Sequence, residues 1–170
     1  MSNSLIKNMN KINQKREKEI VLILENIRSV HNVGSIFRTA DGFGITKIYL
    51  TGFTPEPIDR FGRLRTDFKK TALGAEKIIS WKKQTTKETI RDLKLSKFKI
   101  IAIEQDPKSK PLDQLKLEGN TAIILGSETV GIEQETLKMS DEIFEIKMRG
   151  SKESLNVSVV AGMAIYQLFR

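Results

Sequence analysis

The sequence predicts an α/β fold with a mostly parallel sheet and helices on both faces. Short apolar runs typical of strands alternate with helical patterns along the whole chain. The longest wholly apolar runs, IVLIL and VVAGMAI, are too short to cross a bilayer, so we expect no membrane association. Because the 170 residues contain no repeat and no break in composition, we expect one domain over 1–170, with a basic N-terminal extension at 1–18.

The predicted elements follow one another in a regular order. We expect strands at 19–24, 46–52, 77–81, 98–105, 121–125 and 141–146. We expect helices at 32–43, in a short piece before Gly74, and at 85–95, 132–139 and 155–169. Gly44 suits the end of the first helix, because glycine adopts the left-handed conformation without strain. A Pro- and Arg-rich loop at 54–65 and a polar connector at 106–120 join neighbouring elements.

The composition excludes several kinds of site. The chain has no cysteine, which excludes disulfides, thiolate metal ligands and cysteine nucleophiles. It has a single histidine, His31, and no HExxH motif, so we expect no zinc centre. The N-terminal residues lack the apolar segment of a secretory signal, and we therefore expect a cytoplasmic, metal-free protein.

Basic residues exceed acidic ones, 29 to 21, and the formal net charge is +8. The excess is concentrated at 59–70 and 82–99, whereas acids dominate 126–145. Either basic run alone is typical of a solvated face, but together they favour a polyanionic partner, most simply nucleic acid. Aromatic residues make up only 6% of the chain, so we do not expect a stacking platform for single-stranded RNA.

Polar stretches follow three of the predicted strands, at 26–38, 126–131 and 147–158. Ligands of open α/β sheets bind beyond the carboxyl ends of the strands. One such loop would mean little. Three together predict a single site assembled from distant segments.

The first stretch places Arg38 on a helix face that otherwise holds small residues. That face contains His31, Gly34, Ser35, Arg38 and Gly42, opposite an apolar face of Val33, Ile36, Phe37, Ala40 and Phe43. Two interpretations remain open. The face is solvated and Arg38 pairs with Asp41, or a ligand lies against Gly34 and Gly42 while Arg38 clamps it.

The other two stretches are ambiguous when each is considered alone. The 126–131 segment lacks the Gly-Lys-Ser/Thr ending of a P-loop, and 42–47 lacks the third glycine of a dinucleotide-binding motif. The simplest interpretation of 126–131 is a tight turn with Glu128 at a helix start. Ser154 and Asn156 flank Leu155 at the start of the last helix, and capping explains only one of them.

Three segments resemble, in order, the signature motifs of the TrmH (SpoU) family of SPOUT-class methyltransferases: NIRSVHNVGSIFRTADGFG, AIILGSETVGI and IKMRGSKESLNVSVVAGMAIY. The resemblance extends from about residue 20 to the end, and only Ser127 and Thr129 stand where Asn and Gly are frequent. It implies methyl transfer from S-adenosylmethionine to a ribose 2′-OH of tRNA or rRNA, with S-adenosylhomocysteine as product and no metal. It also implies a deep C-terminal trefoil knot and a homodimer.

The resemblance further implies which residues form the site. The catalytic set is Arg38, Asn32, Glu128, Ser154 and Asn156. The cofactor-binding set is Gly126, Ile146, Leu155, Ile103, Gly131 and Met148. We expect contacts with a structured RNA, not DNA, from His31, Arg28, Arg60, Arg63 and Arg65. Because guanidinium groups stay protonated in proteins, we expect Arg38 to position the ribose and a neighbouring phosphate and to stabilise developing charge. Three routes for the hydroxyl proton remain open: to phosphate, to water or to a transiently neutral Arg38.

Two alternatives remain. The chain is a catalytically silent RNA-binding relative, or it is a SPOUT enzyme that methylates a base. The five catalytic-type residues speak against the first, and the pattern of the first motif speaks for ribose. No separate RNA-recognition domain is expected, because only about twenty residues precede the first strand, so the dimer surface would bind the RNA.

Overall fold

The seven strands of the computed structural model, which describes residues 18–170, form one sheet in the order β3-β2-β1-β6-β4-β7-β5. The predicted extension at 1–18 lies outside the described residues except for Lys18. The strands are β1 Ile20–Glu25, β2 Lys47–Thr51, β3 Ser80–Lys83, β4 Lys99–Ile103, β5 Lys110–Pro111, β6 Thr121–Leu125 and β7 Glu142–Glu145. Every pairing between these strands is parallel, which confirms the predicted type of sheet.

Helices cover both faces of the sheet. They are α1 Val30–Gly42, α2 Thr66–Ala72, α3 Thr86–Leu95, α4 Gln134–Met139 and α5 Val157–Phe169. Because successive residues of a strand point to opposite faces, Leu22 and Ile123 pack with α1, α2 and α5. Ile23 and Ile124 pack on the other face with α3 and α4. The central strands β1 and β6 are therefore buried on both sides.

The first helix begins two residues earlier than predicted, because Ser29 caps it. The Ser29 hydroxyl accepts a hydrogen bond from the backbone N–H of Asn32 at 3.2 Å. At the other end, Gly44 has a φ of 65° and its N–H donates to the Asp41 carbonyl at 2.9 Å, as predicted for a terminating glycine. His31 and Asn32 consequently lie in the first turn of α1, at the edge where β1 ends.

Two predicted segments differ more from the structure. The strand predicted at 77–81 begins only at Ser80, as β3. The positive φ angles of Leu73 and Gly74 turn the chain into a 3-10 helix at Ala75–Lys77, which occupies the start of the predicted strand. The connector at 106–120 contains the short strand β5, which pairs with β7. The remaining elements agree to within two residues at each end. The trefoil knot stays a prediction.

The topology opens a crevice between β1 and β6. Strand β1 leads through α1 to β2 on one side, whereas β6 leads through α4 to β7 on the other. Adjacent parallel strands whose connections leave in opposite directions form a crevice at their carboxyl ends. In the part of the chain that the structure describes, no helix has the length and apolar character needed to span a membrane.

Candidate active site

The three polar stretches meet at this crevice, joined by the side chain of Asn32. Its Nδ2 donates a hydrogen bond to the carboxylate of Glu128, and its Oδ1 accepts one from Nδ2 of Asn156 at 3.0 Å. Asn156 also caps α5, because its Oδ1 accepts from the Ser158 N–H at 2.9 Å. One asparagine thus holds an acid from the second stretch and an amide from the third in fixed positions.

A cavity of about 360 Å³, the strand-end cavity, opens at the carboxyl ends of β4, β6 and β7 beside the start of α5. All six predicted cofactor-binding residues line it: Ile103, Gly126, Gly131, Ile146, Met148 and Leu155. Glu128 and Ser154 line it too, together with the apolar side chains of Leu125, Val157 and Val160. Apolar walls and an acidic, polar rim suit a ligand with a flat apolar part and a charged end.

The 126–131 segment is a tight turn, as predicted. The Gly131 N–H donates to the Ser127 carbonyl at 2.8 Å, and Gly131 has a φ of 74°. A Cβ at Gly126 would lie 2.5 Å from the carbonyl carbon of Gly131, so only glycine lets the turn close. The predicted helix start at Glu128 is wrong, because α4 begins at Gln134. Glu128 instead lies on the turn and accepts from Asn32.

Two carboxylates that we did not predict fix the chain after this turn. Glu25, 1% exposed at the end of β1, accepts from the Glu133 N–H at 3.0 Å and the Thr136 hydroxyl at 2.7 Å. Glu104 follows β4 and accepts from the Ile132 N–H at 2.9 Å. β6 lies between these two strands, so the segment is held from both sides. Both Glu25 and Glu104 directly follow an apolar run, in LILE and IAIE, and this pattern is the sequence signal that would have identified them.

Arg38 lies in a different depression, the α1 groove, a space of about 600 Å³ between α1 and α2. The residues around it are Ser35, Arg38, Thr39, Gly42, Phe43, Lys70 and Thr71. Within residues 18–170, the guanidinium of Arg38 has no ion-pair partner, and the pairing with Asp41 is not formed. Arg38 follows Asn32 by six residues, roughly 9 Å along the helix axis, and it does not line the strand-end cavity.

The open glycine face predicted for α1 is only partly correct. Gly34 is buried, and a Cβ there would overlap Oγ1 of Thr71 in α2. The absent side chain therefore lets two helices pack closely and leaves no room for a ligand. Gly42 borders the α1 groove, and a Cβ added to it would have no neighbouring atom within 4 Å.

The predicted RNA-contacting residues lie at the same edge of the sheet. Arg28 and His31 are exposed near the end of β1. Arg60 and Arg63 are exposed on the loop after β2, whereas Arg65 pairs with Asp67 at 3.1 Å. Lys83 anchors the start of this loop by donating to the carbonyls of Gly52 and Thr54, and burial lowers the pKa of its amine.

Among the described residues, no cluster of three or more His, Asp or Glu side chains could hold a metal ion. The groups available for chemistry at the crevice are amides, hydroxyls, carboxylates, the imidazole of His31 and the guanidinium of Arg38. Such groups can orient and stabilise a reacting molecule, but they include no strong nucleophile. The arrangement fits a reaction whose activated group arrives with a bound molecule.

Comparison with known proteins finds a family model that covers most of the chain. The model of the SpoU rRNA Methylase family matches residues 19–166. The 23S rRNA (guanosine-2'-O-)-methyltransferase RlmB of Acinetobacter baylyi is 32% identical over 96% of this chain and 64% of its own length. The chain spans about three fifths of the length of such curated relatives.

Solved structures share the fold. The AdoMet-bound rRNA methyltransferase of Sinorhizobium meliloti superposes with a TM-score of 0.81 at 22% identity, over 89% of this chain and 56% of that one. A structure described for the 2-OH methylation of C/U34 on tRNA has a TM-score of 0.72 at 20% identity, over 95% of this chain and 94% of that one. By its fold and by the family model that covers nearly all of its described residues, the chain belongs to the SpoU rRNA Methylase family.

Proposed function

We propose that this chain transfers a methyl group from S-adenosylmethionine to a ribose 2′-OH of RNA, releasing S-adenosylhomocysteine. The observation that carries the proposal is the hydrogen-bonded set Glu128–Asn32–Asn156 beside the strand-end cavity. A silent RNA-binding module has no need to hold three distant polar side chains at a cavity. The family of the chain and the names of its relatives support the same activity.

The strand-end cavity has the chemistry to hold the cofactor. Ile103, Leu125 and Ile146 offer apolar surface for an adenine ring. Glu104, Glu128 and Glu153 also line the cavity, and their negative charge favours a sulfonium cation. When bound, S-adenosylmethionine supplies an activated methyl group, so the chain has only to align the acceptor and stabilise charge.

The residues at the rim are suited to that alignment. Both ends of the Asn32 amide are occupied, by Glu128 and by Asn156, so its plane is fixed before any RNA binds. Arg38, which has no partner among the described side chains, offers two parallel donors to the ribose-phosphate of the acceptor nucleotide. The 2′-hydroxyl proton leaves to phosphate or water, because guanidinium groups stay protonated in proteins.

A homodimer accounts for the separation of Arg38 from the cavity. Val159, Met163 and Tyr166 form an exposed apolar stripe on α5, at the i, i+4 and i+7 positions. α5 starts at the strand-end cavity and ends beside α1, where the rings of Phe169 and Phe43 lie 5.5 Å apart. If two copies pair along this stripe in opposite directions, the α1 groove of one protomer approaches the cavity of its partner.

Mixed dimers test this arrangement. Arg38→Ala and Glu128→Ala chains are each inactive alone, but together they rebuild one complete site in each heterodimer. Random mixing then recovers about a quarter of the wild-type rate. No recovery, with heterodimers verified by two affinity tags, would mean that each protomer uses its own Arg38. A monomer in sedimentation equilibrium would contradict the dimer itself.

We also propose a cytoplasmic location and a structured tRNA or rRNA as substrate, in keeping with the rRNA relatives and the tRNA-modifying structural neighbour. Of the two basic segments, 59–70 is the better candidate for phosphate contacts. Each segment has cations that are paired with acids, Arg63 and Arg65 in the first and Lys94 and Lys99 in the second. In 59–70, however, Lys70 lines the α1 groove together with Arg38. RNA affinity should fall steeply between low and moderate salt.

The deciding experiment is incubation with radiolabelled S-adenosylmethionine and total RNA, followed by alkaline hydrolysis. Label in alkali-resistant dinucleotides is expected, because a 2′-O-methyl group blocks cleavage of the adjacent phosphodiester. Label in mononucleotides would indicate methylation of a base. Absence of label, with the cofactor bound in calorimetry, would favour the silent RNA-binding relative.

A further inference from the structure

Within the loop between β2 and α2, residues 57–65 form a rigid hairpin, which we call the 57–65 hairpin. Ile58 and Leu64 form an antiparallel bridge, and the Asp59 N–H donates to the Arg63 carbonyl at 2.8 Å. The carboxylate of Asp59 accepts from the backbone N–H groups of Phe61 and Arg63, at 2.8 and 3.0 Å. These hydrogen bonds, of which the one from the Arg63 N–H has the largest effect, hold the pKa of the Asp59 carboxyl below its usual value. The tip has a fixed shape before it meets any partner.

The ring of Phe61 lies at this tip and is exposed to solvent. Phe61 is 66% exposed and belongs to neither hydrophobic core. The guanidinium of Arg60 lies 4.7 Å from the ring centroid and that of Arg63 lies 5.0 Å away. An exposed ring with arginines beside it, on a stiff support, is a combination by which proteins stack on unpaired nucleobases and hold their phosphates.

The two arginines differ in their availability. Arg63 is paired with Asp59 at 2.9 Å and so helps to fix the hairpin. Arg60 has no carboxylate partner in the described part of the chain. A base that replaces the Arg60 guanidinium on the ring therefore releases a free cation for the neighbouring phosphate.

The topology puts the hairpin beside the candidate site. It leaves the carboxyl end of β2, which is two strands from β6, a lateral distance of about 10 Å. It leads into α2, whose Lys70 and Thr71 line the α1 groove with Arg38. A nucleic acid whose ribose is held at Arg38 therefore lies beside the helix into which the hairpin leads.

We propose that Phe61 stacks on an unpaired base adjacent to the modified nucleotide, and that Arg60 binds the phosphate of that base. The inference rests on the proposed function, in that the partner is RNA. It departs from the expectation, drawn from the low aromatic content, that the chain has no stacking platform, because a single exposed ring is enough to stack on one base. Stacking is indifferent to base identity, so this contact selects an unpaired nucleotide and not a sequence.

The test compares two probes, a short oligoadenylate RNA and a ribose-phosphate oligomer of the same length without bases. Wild-type protein should bind the oligoadenylate more tightly in fluorescence anisotropy. Phe61→Ala should weaken that binding roughly 5- to 150-fold and leave the abasic probe unaffected. Phe61→Trp should restore it. The matched control is Leu95→Ala, which removes a 79% exposed side chain from the end of α3, away from the crevice.

Arg60→Gln should weaken both probes equally and reduce the slope of log affinity against log salt by about 0.7. Equal binding of wild type and Phe61→Ala to the oligoadenylate would overturn the inference. So would a changed sedimentation coefficient with unchanged RNA binding, because the ring would then be part of a protein interface. The binding result decides stacking even if no RNA is methylated, an outcome that would count against the proposed function alone.

Discussion

The strand-end cavity and the α1 groove lie at one edge of the same sheet, but they are built in opposite ways. Around the cavity, each of three acids, Glu25, Glu104 and Glu128, accepts hydrogen bonds from neutral donors of distant segments. Along the α1 groove and the 57–65 hairpin, Arg38 and Arg60 have no carboxylate partner among the described residues. The first region is fixed by its own chain, and the second is left for a partner to satisfy.

This difference matches what each region is proposed to bind. A small cofactor gains affinity from a pocket that does not reorganise, because little ordering entropy is lost on binding. A polyanion is recognised by cations that are free to pair with phosphates. The two regions therefore should respond differently to substitution, the first in stability and cofactor affinity and the second in RNA-dependent rate.

The largest expected effect is at Arg38. Arg38→Lys keeps the charge but loses the two parallel donors, so the methylation rate should fall by about 100-fold or more. Cofactor affinity measured by calorimetry should stay within a factor of about two, because Arg38 does not line the strand-end cavity. Rates close to wild type would contradict a bidentate role for this residue. Lys70→Arg, in the same groove, is the control for exchanging one cationic side chain for the other at constant charge.

The next effect is at Glu25. Glu25→Ala leaves the Glu133 N–H and the Thr136 hydroxyl without their acceptor in a buried place, and the free energy of unfolding should fall by about 3 kcal/mol. Because these bonds hold the chain after the 126–131 turn, the cofactor Kd should rise as well. Urea denaturation and calorimetry measure the two effects. Glu135→Ala, which removes an exposed acid of α4, should change neither, and an equal loss there would refute a specific role for Glu25.

Gly34 and Gly42 form a matched pair on one helix. Gly34→Ala forces α1 and α2 apart and should lower the free energy of unfolding by about 1 to 2 kcal/mol. Gly42→Ala has open space and should be neutral or stabilise the protein by up to about 1 kcal/mol. Thermal unfolding of both variants measures the difference. If the two were equally tolerated, the close helix packing inferred at Gly34 would be wrong.

The smallest effect is at Glu142, on the far side of the sheet. Hydrogen bonds from Lys110 and then Lys99 lower its pKa. Its stabilising contribution is therefore complete above about pH 4.3, the ordinary pKa of the unfolded chain, and is lost as the pH falls through the lower folded value. The stability difference between wild type and Glu142→Gln should be under about 1 kcal/mol and should vanish on acidification. Asp113→Asn, at an exposed acid, should show no such trend.

Much of this molecule could be predicted from local patterns. The alternation of apolar runs and helical periods predicted the parallel sheet, because each strand and helix is specified by adjacent residues. The polar stretches after three strands predicted where side chains meet, because the carboxyl ends of parallel strands share one edge. The six residues assigned to the cofactor by resemblance all line one cavity.

The features that the sequence did not predict depend on contacts between distant segments of the chain. Helical periodicity identified the face of α1 that meets the sheet, but it could not reveal that α2 covers Gly34 on another side. Glu25 directly follows the strand predicted at 19–24 and was assigned no role, and its partner Thr136 is 111 residues away. No local pattern encodes such a pairing, so a buried acid with distant donors is found only in three dimensions.

The position of β6 determines when the two sides of the sheet can join. β6 lies between β1 and β4, and each of its residues pairs with both neighbours. The strands made before it, β1 to β3 on one side and β4 on the other, cannot join until residues 121–125 have been synthesised and have reached the gap. A sheet in which β6 and then β7 are inserted between earlier strands has contacts of large sequence separation, which slow folding. Before β6 pairs with both of its neighbours, the crevice, the strand-end cavity and the contact of Asn32 with Glu128 cannot form.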